Sequence, residues 1–277
     1  MQPITNLIVG VELSDSDRNL MTCAVEFAHL LGASLHALHA RADKVPSDAQ
    51  ALTTPGAEGL KHKLAEHAAR VDVKLDAFRA TYPNAHVETV YGRPFEALIA
   101  AASHLKNAVI VVGAGRMQGG FFERLLGSTS SELLSTATCP VLIVPRHEAV
   151  APLTGRTLVV GVDGSDAAAR ALVSALNLGA RMNVPIIPVH ASFAPDAREV
   201  IAGWFAEQES VEVRALETKL VFVEAGPAKA LLEQVESNNA AMIVMGSHAK
   251  GALARIVVGS VASETVEGSH VPVLLLR

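Results

Sequence analysis

The chain has 277 residues, half of them apolar, with a net charge of −5 and aromatic residues at only 4%. Charge is evenly spread, with 13 Lys and Arg against 15 Asp and Glu through residue 150 and 10 against 13 after it. There is no basic face to attract duplex nucleic acid, and too few rings to build the stacking platform of a single-strand binder. Apolar runs such as AVIVVG at 108–113 stop well short of the ~20 residues of a membrane-spanning helix. The N-terminus also lacks a signal-peptide apolar core, so a soluble cytoplasmic protein is expected. Two unspaced cysteines, Cys23 and Cys139, suggest neither a disulfide framework nor a cysteine zinc site.

In chain order, short β-branched runs alternate with longer helical segments, the pattern of a parallel sheet wrapped by crossover helices. The first half predicts strands near Ile4–Val11, Ser34–Ala40, Val87–Tyr91, Ala108–Gly113 and Val141–Val144. Between Arg41 and Ala57 the chain is rich in Pro, Ser, Thr and Ala, which reads as a surface loop. The second half predicts strands at Thr157–Asp163, Pro185–Ala191, Lys219–Glu224, Ala241–Gly246 and Val271–Leu276. Helices fall near Asp166–Met182, Asp196–Glu217, Pro227–Ser237 and Ser260–Glu267. Pro94 and Pro227 suit a first helical turn, where a missing N–H costs nothing. Val159–Val162 and Ile243–Met245 are continuously apolar, as expected of strands covered on both faces.

The two halves repeat one another. LIVGVELSD at 7–15 returns as LVVGVDGSD at 158–166, and VYGRP at 90–94 as VEAGP at 223–227. AVIVVG returns as AMIVMG at 241–246, and CPVLIVP at 139–145 as VPVLLLR at 271–277. A period this far above the 20–50 residues of a solenoid unit predicts two complete domains, each with its own core. The expected division is 1–147 and 156–277, joined by a linker at 148–155. The fold class is therefore α/β, with two tandem five-stranded parallel-sheet domains, Rossmann-like and wrapped by crossover helices.

In such sheets ligands bind beyond the carboxyl ends of the strands. Three segments of the second repeat converge there. In VDGS at 162–165, Asp163 ends a strand and Gly164 permits a tight turn into a helix. Val189-His190-Ala191 ends the next strand and offers its backbone to a heterocycle edge. GSHAKGALARIVVGS at 246–260 is a glycine-bearing loop entering a helix near Gly259-Ser260, whose free N–H groups, hydroxyl and positive dipole end suit a phosphate. Each part also has a plainer reading: Ser260 as an ordinary helix cap, Asp163 as a turn residue that hydrogen-bonds its own backbone. Trp204–Glu217 follows a loose helical rhythm and reads as a helix packing on the sheet, with the single Trp in the core or at a domain contact.

These residues resemble the universal stress protein family in its tandem form, over essentially the whole chain. Its nucleotide-binding members carry Gly, two residues, Gly, nine residues and then Gly-Ser or Gly-Thr, together with an Asp at the end of the first strand. The second repeat matches with Gly246, Gly259 and Ser260, but has Ala249 at the middle glycine. The resemblance implies a site for ATP or a related adenine nucleotide, with or without magnesium. By that implication Val162, Asp163, His190 and Ala191 face the nucleoside, while Gly246, His248, Gly251, Gly259, Ser260 and Val261 surround the phosphates. The first repeat departs further. Glu12 and Leu13 replace Asp and Gly, the loop 113–128 is one residue longer, and Arg116 stands near its start, so a standard ATP site is not expected there. Arg116 or Arg124 could instead meet a phosphate in an altered anion site.

The resemblance implies a stress-response regulator that passes nucleotide occupancy, through ordering of residues 247–258, to an unidentified protein partner. The alternative is a ligand-independent interaction module, a pseudo-dimer whose final strands pair within the chain or with a second chain as a homodimer. Enzyme activity is not expected beyond slow ATP hydrolysis, because no GxxxxGK[ST], HExxH or Ser/His/Asp order is present. Lys250 reads as a solvated loop lysine. No metal site is expected, since His36 and His39, three apart on a strand, point to opposite faces.

Overall fold

The computed structural model describes residues 3–41, 57–114, 128–145, 150–247 and 259–277. Its first half runs β1 (Asn6–Gly10), α1 (Asp17–Leu31), β2 (Ser34–Arg41), α2 (Ala57–Thr81), β3 (Ala85–Tyr91), α3 (Pro94–His104), β4 (Ala108–Ala114), α4 (Ser128–Thr136) and β5 (Val141–Pro145). The second runs β6 (Thr157–Gly161), α5 (Asp166–Met182), β7 (Ile186–Ala191), α6 (Ala197–Ala206), α7 (Val211–Ala215), β8 (Val221–Val223), α8 (Pro227–Ser237), β9 (Ala240–Gly246), α9 (Ser260–Gly268) and β10 (Val273–Leu276). The loop expected between Arg41 and Ala57 lies almost wholly outside the described residues.

Each half is a five-stranded parallel sheet, and the two join as one ten-stranded sheet in the order β3-β2-β1-β4-β5-β10-β9-β6-β7-β8. The join is the antiparallel pairing of β5 with β10: Val273 opposite Ile143, Leu274 opposite Leu142, Leu275 opposite Val141. Because Leu142 and Leu274 are each other's counterparts in the repeat, a pseudo-twofold axis passes between them. All other strand pairs are parallel.

The expectation that each repeat has a separate core does not hold. One apolar layer contains Leu7, Val9 and Phe27 of the first repeat together with Leu158, Leu172 and Phe205 of the second. The layer on the other sheet face likewise joins Ile110 and Leu133 to Ile243 and Leu231. A continuous sheet leaves no polar gap at which either layer could end. Three side chains also cross between the repeats: Leu153 N–H donates to Glu26 Oε1 at 2.8 Å, Arg181 Nη1 to the Leu31 carbonyl at 2.6 Å, and Arg277 Nη2 to the Leu133 and Leu134 carbonyls.

Two local departures have identifiable causes. The helix expected over 196–217 divides into α6, α7 and a terminal 3₁₀ turn at Leu216–Lys219. Ser210 restarts it by accepting the Val213 N–H, and Arg214 Nη1 donates to the Gln208 and Glu209 carbonyls, so the break leaves its backbone satisfied. The first strand of the second repeat ends at Gly161, which places Asp163 in the following turn instead of on the strand. By contrast α5 and α8 occupy the expected ranges, with Ser165 capping the first and Pro227 opening the second.

Leu142 is fully buried at the axis, so Leu142→Ala should destabilise the fold by about 2–5 kcal/mol, read as a lower denaturant midpoint in equilibrium unfolding.

Candidate functional site

The turn after β6 is built by Asp163. Its Oδ1 accepts from the Ser165 N–H at 3.0 Å and from the Ser165 hydroxyl at 2.5 Å, and Ser165 Oγ in turn accepts the Ala168 N–H at 3.1 Å. Gly164 sits at φ +78°, in the left-handed region that glycine enters without penalty. The self-bonding role of Asp163 is thus real, and it uses one carboxylate oxygen on an exposed side chain.

The same turn persists in the first repeat with different residues. Leu13 adopts φ +57° where the second repeat has Gly164. Such a conformation costs a leucine about 1–2 kcal/mol, and burial of its side chain to 7% exposure, worth about 1.5–3 kcal/mol, offsets this. Here Asp17, the first residue of α1 and 2% exposed, accepts the Glu12 and Ser14 N–H groups on Oδ2 at 2.9 and 3.2 Å. Its repeat counterpart is Ala168. The sequence carried the signal as an extra acid at a position where the second repeat is apolar.

Val162 and His190 form a clip. The Val162 N–H donates to the Val189 carbonyl at 2.9 Å, and its own carbonyl accepts from His190 Nδ1 at 2.7 Å. His39 makes the equivalent bond to the Val11 carbonyl at 2.9 Å. Both repeats therefore use the strand-end histidine to tie neighbouring strands. The His190 ring also leans on Phe222, and the Arg198 guanidinium lies 4.7 Å from the centroid of that Phe222 ring. Ala191 is placed differently. Backbone groups alternate sides along a strand, Val189 faces β6, and β6 has ended, so the Ala191 N–H and C=O point past its end into the crevice.

Gly246 ends β9 against the start of α5. A methyl group there would lie 2.6 Å from Ala167 Cβ, so only glycine lets strand and helix approach this closely. Ser247 N–H donates to the Leu276 carbonyl, and a methyl on Gly259 would sit 3.7 Å from the Ser247 carbonyl oxygen. The start of α5, the end of β9 and the start of α9 are therefore neighbours, and the positive ends of two helices converge. They differ in one respect. Ser165 caps α5, whereas α9 has Gly259 as its cap residue, with no side-chain cap bond. Ser260 is the first helical residue and exposed, so the reading of Ser260 as the cap is corrected. The first N–H groups of α9, at Ser260 and Val261, have no acceptor within their own helix. His248, Ala249, Lys250 and Gly251 lie outside the described residues, as do Arg116 and Arg124.

Trp204 belongs to this site and not only to the core. Its Cγ is 3.8 Å from the point where a Gly164 side chain would begin, and its ring meets Phe205 edge-on. Burial pushes the Cys23 thiol up to about 12 and raises Cys139 as well, so neither is an activated nucleophile. Among the described residues no group of three His, Cys, Asp or Glu could hold a metal ion, and no helix is long and apolar enough to cross a membrane.

A ten-stranded α/β sheet made from two doubly wound halves, each with a strand–turn–helix crevice, defines a tandem doubly wound α/β protein. Residues 3–145 and 155–277 each match the universal stress protein family, and the chain belongs to that family. It is 30% identical to universal stress protein Rv2623 of Mycobacterium tuberculosis over 299 aligned positions, covering 98% of this chain and 96% of that one. Universal stress protein Rv2005c of the same organism is 29% identical and covers 78% of this chain and 74% of that one. Among solved structures, a universal stress protein from Archaeoglobus fulgidus superposes with a TM-score of 0.70 at 22% identity, covering 100% of this chain and 99% of that one. The likeness to that structure shows the shared fold.

The Gly246 contact carries a prediction independent of any ligand. Gly246→Ala should cost about 1–3 kcal/mol by overpacking against Ala167, seen as a lower melting temperature of the ligand-free protein.

Proposed function

We propose that the second repeat binds ATP or a related adenine nucleotide, and that the protein is a nucleotide-responsive regulator of the stress response. The observation that carries this reading is the start of α9, whose cap residue is a glycine with no side chain to cap it, set beside the Asp163–Ser165 turn and the outward backbone of Ala191. Ala191 pairs with the adenine edge through its N–H and C=O. Asp163 meets the ribose with the carboxylate oxygen that the turn leaves over. Gly259, Ser260 and Val261 take the phosphates on N–H groups and one hydroxyl, at the positive end of the helix. Val162 and His190 act from behind by fixing the strand ends, and Gly246 by letting the helix approach. His248 and Gly251 complete the phosphate shell on the family pattern.

Magnesium fits as a companion of the phosphates and not as a resident of the protein. It is commonly held by one or two carboxylates plus substrate oxygens, and Asp163 is the carboxylate at hand. The first repeat keeps the turn by means of Leu13 and Asp17, and carries Glu12 and Leu13 where the second has Asp163 and Gly164. It serves as the structural half of the pair. That retained fold is also what the alternative reading, a nucleotide-free interaction module, would use.

Calorimetric titration of ATP, with and without magnesium, tests the assignment. One nucleotide should bind per chain, and Ser260→Ala should weaken it at least tenfold without lowering the melting temperature, because Gly259 and not Ser260 is the cap residue of α9 and Ser260 is exposed. Asp163→Asn keeps an oxygen for Ser165 and should also weaken binding. Trp204, the single tryptophan, should change its fluorescence on titration. Absence of heat and of fluorescence change up to millimolar ATP would favour the interaction module.

A further inference from the structure

The helix that follows β7 touches the elements on both sides of that strand. Near the start of α6, the Arg198 guanidinium lies 4.7 Å from the centroid of the Phe222 ring on β8. Near its end, Trp204 rests against Gly164 in the turn after β6. At 3.6 residues per turn, Ile201 and Phe205 fall between these two flanks of the helix, and both are buried in the shared apolar layer. α6 therefore flanks the crevice beside the outward backbone of Ala191, with Trp204 on the side of Asp163.

The indole presents one polar atom there. Its Cγ and Cδ1 lie 3.8 and 3.9 Å from the point where a Gly164 side chain would begin, and Nε1 is bonded to Cδ1, so the N–H stands beside the same turn. The side chain is half-buried, its N–H has no acceptor among the described residues, and the nitrogen is not enclosed. An indole N–H at a partly covered site ordinarily finds a partner. Asp163, the residue before Gly164, commits Oδ1 to Ser165 and keeps its other oxygen on an exposed side chain. Gly164 thus stands between a donor and an acceptor, and its missing side chain is what admits the indole. In the first repeat Leu13 holds this position with its side chain 7% exposed, and a leucine at 164 would extend into the Trp204 ring. The chain has a single tryptophan, so this donor belongs to the second repeat alone.

We propose that Trp204 Nε1–H donates to one ribose hydroxyl while Asp163 accepts from the other, so that the second repeat selects ribonucleotides over deoxyribonucleotides. The inference rests on the nucleotide reading above and adds to it recognition of the sugar. An indole N–H can only donate and a carboxylate can only accept, whereas each hydroxyl of a vicinal diol does both. The pair is matched by the diol and half unmatched by a sugar that lacks either hydroxyl. A site built to hydrogen-bond a hydroxyl rejects the analogue without it, because its own polar group is left unpaired.

Calorimetric titration of the full chain with ATP, 2′-deoxyATP and 3′-deoxyATP is the test. The wild-type protein should bind ATP about fivefold or more tightly than either analogue. Trp204→Phe keeps a ring against Gly164 and loses the N–H. It should weaken ATP about fivefold and leave unchanged the affinity for the analogue that lacks the hydroxyl Trp204 meets, whereas loss of a purely structural tryptophan would weaken all three alike. Thermal melting of the variant checks its fold. In the wild-type protein the single indole N–H gives one proton–nitrogen NMR resonance, which should shift on addition of ATP and needs no variant. Equal binding of the three nucleotides, a uniform loss or no loss in folded Trp204→Phe, or an indole resonance unmoved by bound ATP would each overturn the proposal while leaving nucleotide binding intact. Failure of the wild-type protein to bind ATP would overturn the nucleotide reading and this inference with it.

Discussion

The antiparallel pairing of β5 with β10 about Leu142 and Leu274 is the contact on which the other features depend. Each half alone would present a fully apolar strand with an unpaired row of backbone groups, a template for uncontrolled association. Paired, the two edges satisfy one another and fuse the two helix-covered layers on either side. The outer edges of the sheet are then β3 and β8. β3 carries His86 and Glu88 on its less covered face, and β8 is only three residues long, both familiar ways of blunting an edge.

Within this frame the two repeats keep the same backbone by different means. The turn after the first strand is held by Asp163 in one and by Asp17 in the other, and the left-handed position is occupied by Gly164 and by Leu13. The strand-end histidine clip is unchanged in both. Preservation of the clip alongside replacement of the turn acid separates what the fold requires from what the proposed ligand requires. In the second repeat the acid lies at the crevice and remains exposed, whereas in the first it stands at the first residue of the helix and is buried.

Much of this was legible in the residues. The limits of α5 and α8 agree with their sequence signals because a Ser cap and an N-terminal Pro mark the starts and the apolar period runs unbroken to the ends. The break at 207–210 was missed because no Gly or Pro marks it. Ser210 ahead of Val-Glu-Val was the available clue, a cap inside an apparently continuous helix. The shared core escaped because periodicity reports which face of an element is apolar, not what lies against it. Trp204 was assigned to packing for the same reason, since its nearness to Gly164 comes from a chain separation of forty residues.

The covalent fusion at the seam also sets how the assembly responds to its surroundings. Two separate chains meeting at such an edge would hold together by mass action, and their stability would fall on dilution. Here the partner strand is always present at the effective concentration set by the tether, so the pair forms at any copy number. A separate homodimer must also carry every substitution twice, once in each protomer. This chain carries Leu13 opposite Gly164 and Arg181 opposite Leu30 singly, and so can specialise its halves in a way that a symmetric dimer cannot.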